Sequence, residues 1–175
     1  MVNRGKSLKI MKLRKEASPI FNSLRYPTKI QGSIWLQRRQ KVKPSSIAKT
    51  LGVSRPFVSK AQRIAKGRIE KLLLHTAKIN RIQIKNLSSD YGFAIGYCSA
   101  YNTNTYIIYS PTMGIQTWFD HSGNCGGCGL QKECRETLHQ LAKEWEIDFD
   151  KELPPTELAE HLFNTIMRRL KWVVK

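Results

Sequence analysis

Ile47-Ala48-Lys49-Thr50-Leu51-Gly52-Val53-Ser54-Arg55-Pro56-Phe57-Val58-Ser59 is the stretch on which the reading of the fold turns. Ile47, Ala48 and Leu51 form the apolar stripe of a short helix. Gly52 follows as a left-handed residue that ends it, Val53 packs beneath the turn, and Ser54 is an N-cap for the next helix. That next helix turns Val58, Ala61, Ile64 and Ala65 inward and keeps the same period through Ile69, Leu72 and Leu73. A short helix, a glycine turn and a Ser-capped second helix make a helix-turn-helix pattern, whose second helix is shaped for a DNA major groove.

Upstream, Thr28 and Gln31 are spaced as a capping box, T-x-x-Q, opening a helix that runs through Arg39 with Ile34 and Trp35 toward the core. Pro44 suits a first helical position, where its missing N–H costs nothing. Lys49, Arg55, Lys60, Arg63, Lys66 and Arg68 surround the same helices, a distribution that an ordinary helical hairpin does not call for. On this reading Lys49, Ser54, Arg55, Ser59, Lys60, Arg63 and Lys66 are the candidate DNA-binding residues. Ser59, Lys60 and Arg63 are directed at bases, and Ser54 and Arg55 lie nearer phosphates.

From Thr28 to about Thr76 the chain resembles the helix-turn-helix of archaeal Tfx-type regulators, related in style to LuxR and sigma region 4 domains. The residues that carry the likeness are Thr28, Gln31, Arg38, Ile47-Ala48, Leu51-Gly52, Ser54-Arg55, Val58-Ser59, Ala65 and Ile69-Glu70-Lys71. Where that family has Gly-Leu-Thr before its second helix, this chain has Lys41-Val42-Lys43-Pro44. The resemblance implies a DNA-binding transcription regulator; it covers under a third of the chain and brings no ligand with it.

Charge points the same way. Residues 1–90 hold 22 basic and 3 acidic side chains, whereas residues 91–175 hold 8 and 10. All four cysteines lie in the second half. A polyanion-binding half joined to a chemically different one is the natural reading, with nucleic acid ahead of a membrane surface as partner. Residues 1–27, with Arg4, Lys6, Lys9, Lys12, Arg14, Lys15 and Arg25 against Glu16 alone, read as a basic arm. No apolar run reaches the roughly 18 residues of a membrane span, and Lys9 and Lys12 interrupt the N-terminal apolar residues. A cytoplasmic protein with reduced thiols is therefore expected.

Beyond residue 77 the pattern changes. Ile79, Ile82 and Ile84, then Tyr91 to Tyr101, then Thr105 to Tyr109 alternate in the manner of strands, with a turn at Asn102–Asn104. Eight of the sixteen aromatics fall between Tyr91 and Phe119. They could stack bases, but the near absence of Lys and Arg there favours an ordinary sheet core. Leu130, Cys134, Leu138, Leu141 and Trp145 make one helical stripe; Leu158, Leu162, Ile166, Leu170 and Val173 make another, packed on the sheet or paired with its copy in a dimer.

The cysteines carry the remaining chemistry. Cys125-Gly-Gly-Cys128-Gly-Leu-Gln-Lys-Glu-Cys134 is C-x2-C-x5-C, and Cys98 is the only other thiol. Four thiolates are what a tetrahedral zinc site or an iron–sulfur cluster requires. The glycines let the loop wrap a centre, and a helix start at Cys134 would favour its thiolate. The set is similar to the cluster ligands of RecB-type nucleases, without their carboxylates. A [4Fe–4S] cluster on Cys98, Cys125, Cys128 and Cys134 is favoured over Zn2+, with His121 as reserve ligand.

Together these readings predict an α+β protein: a basic arm (1–27), an all-α helix-turn-helix domain (28–77) and a small α+β metal-binding sensor and dimerisation domain (78–175). The expected function is a homodimeric, double-stranded-DNA-binding transcription regulator tuned by a redox-sensing cluster, with no enzyme activity. A zinc-stabilised DNA or RNA binder and a nucleic-acid enzyme with a structural cluster are the alternatives.

Overall fold

The computed structural model describes residues 24–149 and 152–172, so most of the basic arm lies outside the described residues. Helix α1 spans Lys29–Arg39, and its start is the capping box. The Thr28 hydroxyl accepts the Gln31 N–H at 3.4 Å, and the Gln31 side chain accepts the Thr28 N–H at 3.0 Å. Helix α2, Pro44–Leu51, begins on its proline and ends at Gly52, which takes φ 63°. Helix α3 spans Arg55–Ile79, capped by the Ser54 hydroxyl on the Phe57 N–H at 3.3 Å. Every local element of the quoted stretch forms as its residues prescribe.

Helix α3 has 25 residues, about 37 Å at 1.5 Å per residue. Its first half closes a three-helix cluster, with Val58 and Ala61 against Ile34, Ile47 and Ala48. Its second half lies on a sheet through Ala65, Ile69, Leu73 and Ala77. One helix therefore serves both halves, and the hydrophobic core does not break at residue 77.

The sheet is an antiparallel meander of β1 (Ile82–Ser88), β2 (Phe93–Cys98), β3 (Thr103–Ser110) and β4 (Gly114–Phe119), in the order 1-2-3-4. A register shift between Ile84 and Asn86 bulges β1. Strand alternation sends Ala94, Cys98, Ile107 and Tyr109 to the α3 face. Phe93, Ile95, Tyr106 and Ile108 face the other way, onto helices α4 (Gln131–Trp145) and α5 (Pro155–Arg169). The result is three layers: α3, sheet, α4 with α5.

Helix α5 buries Leu158, Ala159, Leu162, Phe163, Ile166 and Met167, and the Phe163 ring stacks on Tyr106 at 4.3 Å between centroids. Burying an aliphatic or aromatic side chain contributes about 1.5–3 kcal/mol, so this stripe belongs to the chain's own core. Of the two arrangements expected for this stripe, packing on the sheet is the one formed; Val173 lies outside the described residues. In α4 the inner residues are Leu138, Leu141, Ala142 and Trp145, while Leu130 precedes the helix and is exposed.

Two contacts weld the N-terminal helices to the rest. The Trp35 indole N–H donates to the Ser89 carbonyl at 2.9 Å. Arg39 reaches from the end of α1 to α4, donating to the Glu144 carbonyl at 2.5 Å. Its guanidinium lies 5.0 Å from the Trp35 ring and 4.3 Å from the Trp145 ring. Burial, opposed by the fields of Glu144 and Glu146, lowers the Arg39 pKa to about 10.

Candidate nucleic-acid interface and thiol loop

The first three turns of α3 have two unlike sides. Val58, Ala61 and Ala65 are buried, whereas Arg55, Ser59, Lys60 and Arg63 are exposed. Lys49 on α2 is exposed beside them, and Ser54 spends its hydroxyl on the cap while remaining exposed. The side chains of Lys49, Arg55, Lys60 and Arg63 hold no ion pair or hydrogen bond among the described residues. Unpaired cations on an exposed helix face can neutralise phosphates and reach base edges without breaking an internal contact.

Lys66 is placed differently. It is half-buried, and its Nζ lies 2.7 Å from the Asp90 carboxylate in the β1–β2 turn, so it ties α3 to the sheet. Two further arginines are structural here. Arg68 donates to the Gln31 side chain at 2.8 Å and the Tyr26 carbonyl at 3.1 Å. Arg38 donates to the Val42 carbonyl at 2.6 Å and the Gln62 side chain at 3.2 Å, bracing α1 against the turn and α3.

Phe57 was not among the expected contacts. It occupies the first turn of α3 and is 41% exposed, as Arg55 and Lys60 are exposed, rather than in the core. An apolar ring there suits a thymine methyl in the major groove. The sequence signal was available: Phe57 falls off the Val58–Ala61–Ala65 stripe.

The four-thiolate set is not assembled. Cys98 is fully buried on the α3 face of the sheet, with Ala94, Ile107 and Tyr109, and its thiol points to the Asn80 carbonyl at 3.7 Å. Cys125 lies in the other layer, 3.6 Å from the Thr156 hydroxyl at the start of α5. The physical reason is parity: Cys98 shares the face of Ala94, and only the opposite face meets α4 and α5.

The three loop thiols remain neighbours. Cys125–Gly127 forms one 3-10 turn, its start capped by the Asn124 side chain on the Gly126 N–H at 2.9 Å. Cys134 stands in the first turns of α4. Its thiol pKa is raised, first by burial, then by Cys128 and Cys125, then by Glu133. The expected thiolate-favouring helix start is thus outweighed, and the Cys134 N–H is already spent on the Leu130 carbonyl at 2.9 Å. Among the described residues, no three His, Cys, Asp or Glu side chains converge as a metal site. His121 takes no part: its ring leans on Trp118, and its Nδ1 lies 2.8 Å from the Phe119 carbonyl.

Comparison with known proteins gives no matching family model, curated protein or solved structure. Among the described residues no helix is long and apolar enough to cross a membrane.

Proposed function

We propose that this chain is a double-stranded-DNA-binding transcription regulator that seats the first turns of α3 in the major groove. The observation that carries the reading is the unpaired, exposed face of Arg55, Ser59, Lys60 and Arg63, set against the buried Val58 and Ala61. The concentration of basic residues before position 90 adds a sequence-independent attraction to phosphate. Lys66 is left out of the contact set because Asp90 holds it. A homodimer remains part of the reading, since one helix-turn-helix reads only a short half-site. Its interface must lie elsewhere than the apolar stripe of α5.

The test is selection of a preferred duplex from a random library with the full chain, followed by anisotropy titrations at several salt concentrations. Arg63→Ala should weaken the selected duplex by about 1–3 kcal/mol and relax preference at one position, while random duplex changes little. Failure to enrich any sequence, or equal loss on both duplexes, would sink sequence-specific reading by α3.

A metal-responsive regulator is the second reading, favoured by the glycine-rich loop that carries Cys125 and Cys128 and leads into Cys134, whose thiol pKa both of them help to raise. These three would ligate a [4Fe–4S] cluster or Zn2+, with the fourth position left to a group other than Cys98. Anaerobic reconstitution followed by metal and sulfide analysis of single Cys→Ala variants decides it. Loss of metal in the three loop variants but not in Cys98→Ala supports the reading. No metal in the parent overturns it.

A further inference from the structure

On the side of the sheet away from α3, between β3, β4 and α5, lies a half-open cleft of about 1160 Å³. Small-molecule sites usually run roughly 300–1,000 Å³ with aromatic walls and a few convergent polar groups. Here Tyr106 and Phe163 stack at 4.3 Å in the floor, and Trp118 stands 6.3 Å from Phe163. Trp172 stacks on Phe93 at 5.7 Å and lines the same cleft. Trp118 and Trp172 are only half-buried, so part of each indole remains uncovered.

The rim decides the ligand class. Asp120, at the end of β4, and Glu157 and Glu160, in the first two turns of α5, are exposed lining residues. In a chain of net charge +17 these carboxylates make no ion pair among the described residues. Glu157 has an ordinary role in complementing the helix N-terminus. Asp120 and Glu160 have none, yet both act on one buried phenol: burial first, then Asp120 and Glu160, push the Tyr106 pKa up to about 12. The lysine of the lining, Lys85, is engaged at the edge, 3.2 Å from the Asn104 side chain and 5.7 Å from the Tyr97 ring centroid.

We infer that this cleft binds a small organic cation, an amine or quaternary ammonium with apolar bulk, between Trp118, Trp172 and the carboxylates of Asp120 and Glu160. Indole faces are the best neutral partners for an ammonium, and two nearby carboxylates add attraction of the same sign. The same carboxylates repel phosphates, so the aromatic sheet is not a platform for nucleic-acid bases. The cleft and α3 lie in different layers, and cation binding here is independent of whether the helix-turn-helix reads DNA.

The experiment is an NMR titration of the full chain, following the indole N–H resonances with benzyltrimethylammonium, benzyl alcohol and benzoate as probes. Trp→Phe variants at positions 118 and 172 assign the two cleft signals. Expected is saturable, millimolar-range binding of the cation that moves the Trp118 and Trp172 signals and leaves Trp35 in place. The alcohol and benzoate should bind at least about tenfold more weakly. Asp120→Asn with Glu160→Gln should lower affinity for the cation about tenfold and leave that for benzyl alcohol unchanged. Both positions are exposed, and an unaltered melting curve shows that the double variant folds. Equal binding of the alcohol, preference for benzoate, a silent double variant, or no saturable cation binding each overturns the proposal.

Discussion

Replacing Arg39 tests whether its guanidinium or its stem holds the two halves together. Two terms favour the native residue. A charged hydrogen bond to the Glu144 carbonyl contributes about 1.5–3 kcal/mol. Contacts over Trp145 at 4.3 Å and Trp35 at 5.0 Å contribute about 0.5–2 kcal/mol each. Against them stands desolvation: a pKa lowered to about 10 corresponds to about 3 kcal/mol against the charged form, and Nη1 has no partner among the described residues. The charge is therefore nearly neutral in sum, and the stem between two indoles supplies what remains. Arg39→Met keeps that stem and adds a thioether–aromatic contact, so it should fall within about 1 kcal/mol of the parent. Arg39→Ala empties the space and should cost about 3 kcal/mol. Glu144 keeps the Ser110 and Thr112 hydroxyls at 2.7 Å in both variants. Urea unfolding followed by indole fluorescence reads the difference, because Trp35 and Trp145 flank the site. If Arg39→Met destabilises as much as Arg39→Ala, the guanidinium itself is the stabilising group and the desolvation reasoning is wrong.

Alkaline stability has a definite sign. Burial first, with nearby carboxylates second, raises Tyr106 and Tyr109 to about 12, so their neutral forms favour the fold. That stability is whole below pH 10 and is lost between about 10 and 12, about 2–3 kcal/mol per tyrosine. The lowered Arg39 acts oppositely above about 10 but is one group against two, so urea midpoints should fall with pH, and less steeply in Tyr106→Phe. Gly92 takes φ 62°, and a Cβ there would stand 2.8 Å from the Trp35 ring. Gly92→Ala should therefore cost about 2–3 kcal/mol in a melting experiment; an unchanged midpoint would show that Trp35 yields freely. Cys98→Ser sets a hydroxyl in an apolar pocket and should destabilise the fold by about 1–2 kcal/mol while leaving the reactivity of the other three thiols with a thiol reagent unchanged. A change in that reactivity would mean the two layers communicate through Cys98.

The three N-terminal helices and the turns between them were legible residue by residue, because each of their signals acts within about four positions. The Thr28–Gln31 box, Pro44 at the first position of α2, the left-handed Gly52 and the Ser54 cap all form as their residues dictate. The first three strands and the two C-terminal helices followed from periodicity in the same way, whereas β4 (Gly114–Phe119) was not read as a strand and Ile79, read as the start of one, ends α3. Contacts between distant segments were not legible. Alternation along β2 separates Cys98 from Phe93 and Ile95, but it does not say which face α4 and α5 will cover. That choice parted Cys98 from the thiol loop. The pairing of Lys66 with Asp90 and the reach of Arg39 to Glu144 span 24 and 105 positions, where no local propensity operates. The aromatic cleft arises likewise, from a strand and a helix more than fifty residues apart brought together by the burial of Tyr106 on Phe163. Local backbone preference determined which elements exist; apolar burial between layers decided which side chains meet.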